Sequence, residues 1–207
     1  MILDLRRITS ITDPCLLPAL RLYEQAFPPH EQMTPSFWIE NLLDTSEYAR
    51  HFVAAIDRGS DEVVGMAFFE IVRPADGAPI VRLWYLCTRA DLRGQGVGSQ
   101  VYQKLIAQFF AEGIGAMLFE VERPDTAIQQ GVEAADLAAR RIRWYQRNGA
   151  RLLLNVDYLQ HVDNGHPPTP MYLMIHSSYL IAPDEALRLA TVELRLPASA
   201  IGPLRLE

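Results

Sequence analysis

Two cysteines, Cys15 and Cys87, are all that the 207 residues contain. They stand far apart in apolar surroundings, which argues against a disulfide framework or a cysteine-paired metal site and points to a reducing compartment. Charge is also sparse, at 21% of residues, and leans acidic: 25 Asp and Glu against 19 Lys and Arg, a formal charge of -6. A chain of that sign has no general attraction for phosphate backbones, so nucleic acid is not an expected partner, while a cationic one is slightly favoured. Long apolar runs are missing as well. The segment Met1-Ile2-Leu3-Asp4-Leu5-Arg6-Arg7 meets Asp4, Arg6 and Arg7 before such a run can begin, so neither a secretory leader nor a membrane span is expected, and the protein is expected to be cytoplasmic. Low-complexity tracts and repeats are absent, and the 14 prolines and 12 glycines are scattered rather than gathered into a linker, which predicts a single domain.

What is present is core material: 49% of residues are hydrophobic. Their period changes along the chain. Leu17, Leu20, Tyr23 and Ala26 recur at helical spacing until Pro28-Pro29 stops them, and a second short helix is expected from Thr34-Pro35 to residue 43. Residues 52–56 and 63–72 are rich in β-branched and aromatic side chains around the turn Asp57-Arg58-Gly59-Ser60-Asp61, which predicts an antiparallel hairpin. Residues 80–87 read as a buried strand. Val97, Val101, Leu105 and Phe109 then form one helical stripe, and Gly113 and Gly115 end it. A strand over 116–121, a helix over 134–147 with Ala138, Ile142 and Tyr145 on one face, strands over 151–158 and 171–176, and a short helix over 183–190 complete the reading. The expected class is mixed α/β, with a mostly antiparallel central sheet flanked by helices.

The segment Leu86-Cys87-Thr88-Arg89-Ala90-Asp91-Leu92-Arg93-Gly94-Gln95-Gly96-Val97-Gly98 runs from strand through a glycine-rich turn into a helix. Glycines let backbone N–H groups approach a phosphate, and the first helical turn adds unpaired donors and the positive end of its dipole. A P-loop needs Lys and then Ser or Thr after its last glycine, whereas Ser99 and Gln100 follow Gly98. A dinucleotide fold needs G-x-G-x-x-G, whereas Gly94, Gly96 and Gly98 alternate. A tight turn with no ligand is the third reading of the glycines.

Arg93, Gly96 and Gly98 fall in register with the acetyl-coenzyme A signature of the Gcn5-related N-acetyltransferases (GNAT), which this segment resembles. The segment Arg143-Trp144-Tyr145-Gln146-Arg147-Asn148-Gly149-Ala150 is similar to that family's second motif, and the order of elements matches over residues 1–178. Residues 179–207 are expected to be an extension packed on or following the same domain. The resemblance implies acetyl-CoA as co-substrate, no metal, and direct attack of a primary amine, on a small molecule or a protein, on the thioester. It implies that the backbone of Arg93, Gly94, Gln95, Gly96, Val97 and Gly98 holds the pyrophosphate, that Leu86 and Thr88 pair with the pantetheine arm, and that Tyr145 protonates the departing thiolate. Ala138 stands where many relatives carry Asn, so that contact is missing or supplied by Arg140, and Gly149-Ala150 replaces the usual Gly-Phe. A catalytically idle acyl-CoA-binding module is the alternative on the same fold, and a homodimer is compatible with either.

A base must take the amine's proton. Glu120 and Glu122 end one strand and are expected to point to opposite faces, with Glu120 preferred. Glu70 is expected to be an outward residue on the polar side of the sheet. Phe27 and Glu31, after the first helix, and Tyr158 and Tyr172, flanking the proline loop Asn164-Gly165-His166-Pro167-Pro168-Thr169-Pro170, are the expected acceptor walls. The cluster Arg140, Arg141, Arg143, Arg147 and Arg151 reads as a solvated helix face or as contacts to the 3'-phosphate. His161 and His166, near Asp157 and Asp163, lack strict ligand spacing, so no metal is expected. Cys87 is expected to be buried and no nucleophile.

Overall fold

The structure is a computed structural model that describes residues 1–44, 50–74, 77–160, 167–194 and 201–207. The described residues form a mixed α/β fold of eight strands and six α-helices, and the strand pairs whose register is described are antiparallel. They divide into two compact units. Residues 1–71 and 83–112 make up the first; residues 72–82, 113–160 and 167–207 make up the second.

In the first unit β1 (Leu3–Ile8), β2 (His51–Asp57), β3 (Glu62–Val72) and the Leu83-onward part of β4 (Ile80–Thr88) lie side by side in that order. The expected hairpin is β2 and β3. Strand β1 pairs along β2 from Leu3 opposite Asp57 to Ile8 opposite Phe52. Its sequence does not announce a strand, because only Leu3 and Ile8 are buried and the alternation is lost between them. Helix α1 (Leu16–Ala26) buries Leu16, Ala19 and Tyr23, while Leu17 is 66% exposed. The stripe is therefore one residue earlier than expected, turned by Tyr23, whose ring packs edge-on against Trp38 and Tyr85 at 4.8 Å each. Helix α2 (Pro35–Leu43) contributes Trp38 to the same cluster, with Phe52 and Phe68 beneath it. Helix α3 (Val97–Ala111) buries Val97, Val101, Leu105 and Phe109, the stripe its sequence shows, and Phe109 meets Phe69 of β3 at 4.8 Å.

In the second unit the strand order is β5 (Ala116–Glu122), β7 (Thr169–Ser177), β6 (Arg151–Gln160) and β8 (Ile201–Leu206). The short helix α4 (Pro124–Ala127) leads into α5 (Val132–Arg147), which buries Ala138, Ile142 and Tyr145. Helix α6 (Pro183–Leu194) extends past the expected end at residue 190 and seats Ala186, Leu189 and Ala190 in a core with Leu118, Leu153, Leu173 and Ile175. The last strand, β8, went unseen in the sequence; it closes on β6 with Leu153 opposite Leu206. Strand β6 is irregular in the middle. Its pairing with β7 jumps from Leu153 opposite Leu173 to Tyr158 opposite Met171, and Asn155 adopts a left-handed φ of 64°, the signature of a bulge that re-aims the residues after it. Among the described residues no helix is long and apolar enough to cross a membrane, and no group of three or more His, Cys, Asp or Glu side chains is placed to hold a metal ion.

Candidate active site

The glycine-rich turn is built from its edges inward. Arg89 grips Asp91 with two hydrogen bonds, at 3.0 and 2.7 Å, and Glu62 of β3 with a third, at 2.7 Å. A short 3-10 turn, Ala90–Leu92, follows. The N–H groups of Arg93 and Gln95 then close onto the carbonyls of Ala90 and Leu92, so these two of the expected pyrophosphate donors are engaged within the turn. Gly94 and Gly96 both take φ of +79°, and Gly96 sits at the N-cap of α3. That left-handed backbone is what demands glycine there. A Cβ added to either would meet nothing of this chain within 4 Å, and the first-turn N–H groups of Val97 and Gly98 have no acceptor inside the helix. Open space beside unpaired donors at a helix N-terminus is anion-binding geometry. Arg93 is exposed; Leu86 and Thr88 are half-buried on β4. Gly65 lets β3 approach that strand end, since a Cβ on it would stand 3.0 Å from both the Cys87 carbonyl oxygen and Thr88 Cγ2. Cys87 itself is buried, and desolvation pushes its thiol up to about 12, which leaves no thiolate near neutral pH.

Tyr145 is 8% exposed, its ring 4.4 Å from Phe119 and 4.7 Å from Trp144. Three residues on, the α5 helix ends in Asn148 and Gly149, where the φ of Gly149 is +100° and a Cβ would strike the His176 imidazole at 3.0 Å. Ala150 is buried, its N–H bonded to the Tyr145 carbonyl at 3.1 Å. Ala138 is a buried methyl on the packed face of α5, and Arg140 is exposed and bonds the Asp136 carbonyl. Arg143 and Arg147 are exposed, Arg151 donates to the Ile181 carbonyl at 3.2 Å, and Arg141 pairs with Glu122.

Glu120 and Glu122 correct one expectation. Two residues apart on β5, they belong to one side of the strand's alternation, and what separates them is their partners. Glu122, at the strand end, reaches Arg141 of α5. Glu120 is joined by three side chains: Arg82 of β4 at 3.1 Å, Tyr158 at 2.6 Å and Gln160 at 2.5 Å, both of β6. Two candidates singled out separately in the sequence thus meet, 38 residues apart. Burial, followed by the neighbouring carboxylate, raises the Tyr158 phenol far above its ordinary pKa, so it stays an O–H donor. Arg82 and Gln160 were not anticipated. The signal for Arg82 was present, because a charge inside the apolar strand Ile80–Thr88 requires a partner. Tyr172 packs under the Arg123 guanidinium, 4.9 Å from its ring centre.

On the first unit, Phe27 joins the aromatic cluster at 4.9 Å from Tyr85, and the Tyr85 hydroxyl donates to the Glu31 carbonyl at 2.7 Å. Gln32 ties the same turn to the Phe27 carbonyl at 2.6 Å. The turn that sequence reasoning nominated for the acceptor is therefore pinned to the sheet. Adjacent strand residues ordinarily point to opposite faces, yet Trp84 meets Phe37 while Tyr85 meets Trp38, both on α2. Beside Trp84 stands a residue the sequence did not flag: the Arg50 guanidinium lies 4.7 Å from the Trp84 ring centre and bonds Glu70 and Asn41. Glu70 is thus an ion-paired residue, contrary to the expectation of an outward one. His161, His166 and residues 164–166 of the proline loop lie outside the described residues.

The family profile described as Acetyltransferase (GNAT) family matches residues 17–149. No curated protein sequence matches the chain. Among solved structures, a GNAT-family protein from Bacteroides thetaiotaomicron shares 23% identity and a TM-score of 0.67, covering 93% of this chain and 96% of its own. A GNAT family acetyltransferase from Elizabethkingia anophelis with acetyl-CoA bound shares 14% identity and a TM-score of 0.52, covering 84% and 97%. Arabidopsis thaliana Naa50, in complex with the bisubstrate analogue CoA-Ac-MVNAL, shares 14% identity and a TM-score of 0.57, covering 86% and 99%. At these identities the likeness is one of fold.

Proposed function

The chain belongs to the Acetyltransferase (GNAT) family, and on that premise we propose that it transfers an acetyl group from acetyl-CoA to a primary amine by direct attack on the thioester. The observation that carries this reading is the turn at Gly94 and Gly96, where two left-handed glycines and the first donors of α3 border open space. Two of the fold neighbours hold acetyl-CoA or a CoA-containing bisubstrate analogue, which supports the choice of donor. In this reading the donors of Gly94, Gly96, Val97 and Gly98, with the Arg93 side chain, bind the pyrophosphate. Leu86 and Thr88 receive the pantetheine arm. Tyr145 supplies the proton to the departing thiolate, and Glu120 is the base. Phe27, Glu31, Tyr158 and Tyr172 form acceptor walls. The two unpaired, buried cysteines support a reducing, cytoplasmic setting.

Two measurements test it. A ligand bound by the folded state alone stabilises it by about 2.7 kcal/mol at 100 times its Kd, so acetyl-CoA should raise the melting temperature by about 5–10 °C for a chain of this size, with NAD as the control. Thiol release is then followed across spermidine, kanamycin, lysine and a short peptide with a free N-terminus. Stabilisation without thiol release on any acceptor would leave only an acyl-CoA-binding module. No stabilisation at millimolar acetyl-CoA would remove the donor assignment as well.

A further inference from the structure

The carboxylate proposed as base is held on both oxygens. Glu120 Oε1 accepts hydrogen bonds from Tyr158 Oη at 2.6 Å and from Arg82 Nη2 at 3.1 Å, and Oε2 accepts one from Gln160 Nε2 at 2.5 Å. Its side chain is 13% exposed. Three of the carboxylate's roughly four acceptor sites are therefore taken. We propose that the amine gives its proton to Tyr158 Oη while Tyr158 passes its own hydrogen along the existing 2.6 Å bond to Glu120, making Tyr158 the catalytic port and Glu120 the proton sink behind it. This rests on the reading of the chain as an N-acyltransferase and names the atom that touches the acceptor.

Three observations support it. An ionised carboxylate only accepts, so in the Tyr158–Glu120 contact the phenol is the donor and its oxygen keeps two lone pairs. Arg82 stands beside the phenol as well, and a phenol oxygen that donates its own hydrogen can accept from an incoming amine. Second, the bulge around Asn155 breaks the β6 register immediately before Tyr158 and Gln160, and bulges of this kind serve to re-aim side chains. Third, burial and the Glu120 charge keep the phenol protonated, the state a relay requires.

The step balances as follows. The acceptor arrives as an ammonium and gives one proton to Tyr158 Oη as the Tyr158 proton moves to Glu120 Oε1; the neutral amine then forms the N–C bond at the thioester carbonyl. The C–S bond breaks, the thiolate takes its proton from Tyr145, and the second N–H proton, shed as the amide forms, passes to solvent, from which Tyr145 is reprotonated. Among the described residues the charged groups facing the pair are Arg82 from β4 and Glu120 itself, with neutral Gln160 beside them on β6, while Glu122 and Arg123 are paired with Arg141 and Asp125. Glu120 returns its proton to solvent before the next turnover.

The test uses the best acceptor of the four-member panel and measures kcat and KM between about pH 6 and pH 10 for the parent, Tyr158→Phe, Glu120→Gln and the double variant. Each single change should lower kcat about 10- to 1,000-fold, and the double variant should be no worse than the poorer single, because both remove one relay. The deficit should shrink as pH rises and the acceptor loses its proton in solution, with KM for acetyl-CoA unmoved. Parent-like kcat and pH profile in Tyr158→Phe beside an impaired Glu120→Gln would show Glu120 acting directly and overturn the relay. A deficit that is flat with pH would overturn it in favour of a structural bond. No thiol release by the parent overturns the relay together with the transferase reading, whereas the first two results leave that reading standing.

Discussion

Single side chains settle much of the chemistry because burial decides which of them can react. Cys87 is an instance: its thiol is held at about 12, so it takes no part as a nucleophile. Tyr145 is buried against Phe119, which fixes its ring and makes Tyr145→Phe a conservative probe. That variant should lose about 10- to 1,000-fold in kcat with acetyl-CoA affinity unchanged; steady-state kinetics and a binding titration check both halves. His176 offers a different handle. Burial disfavours its imidazolium, so its folded pKa lies below the ordinary 6.5. As pH falls through that ordinary value the unfolded chain takes up the proton first, and stability is lost. The melting temperature should hold above about pH 7 and fall on acidification, and His176→Gln should show a shallower acid limb over the same range.

Elements carry the next layer, and two glycines at helix ends show how differently one conformation can be used. Gly96 opens α3 with a left-handed backbone and clear space around it, whereas Gly149 closes α5 with a left-handed backbone and the His176 ring against it. A side chain costs about 1–2 kcal/mol at either position through backbone strain alone. At Gly149 the 3.0 Å approach to His176 adds a steric term, so Gly149→Ala should destabilise more than Gly96→Ala in urea unfolding. Gly96→Val should reverse the order in binding: a side chain there fills the space beside the α3 donors, and the thermal shift by acetyl-CoA should vanish while Gly149→Ala retains it.

At the scale of the whole molecule, the C-terminal segment is part of the second unit rather than an appendage to it. Helix α6 buries Ala186, Leu189 and Ala190, and β8 bonds along β6 through Leu152 and Glu207. Removing residues 179–207 strips one side of the core around Leu153, Leu173 and Ile175 and bares the β6 edge. A chain ending at residue 178 should accumulate as aggregate or unfold at a markedly lower temperature than the full chain, as differential scanning calorimetry on the soluble fraction will show. A melting temperature matching the full chain would make the extension dispensable. We therefore propose that residues 1–178 form the family domain and that 179–207 complete its core.

Patterns of local period and local backbone need were legible in the residues themselves. Val97, Val101, Leu105 and Phe109 announce α3 because a helix has 3.6 residues per turn, and the glycines before it announce a turn that only glycine tolerates. The resemblance read from Arg93, Gly96, Gly98 and the Tyr145 motif, borne out by the family match, rests on the same local property. Strands β1 and β8 were not legible: β1 is buried only at its two ends, β8 carries Gly202-Pro203 within it, and both edge strands are defined by the partners they bond. The α1 stripe was offset because the choice between two adjacent faces of one helix is made by the aromatic rings it meets, not by its own sequence. Only tertiary structure decided the company of Glu120. Hydrogen bonds reach about 3 Å, and which carboxylate lies within that distance of Arg82, Tyr158 and Gln160 depends on strand register and on the bulge at Asn155, neither of which is written in any local stretch of the chain.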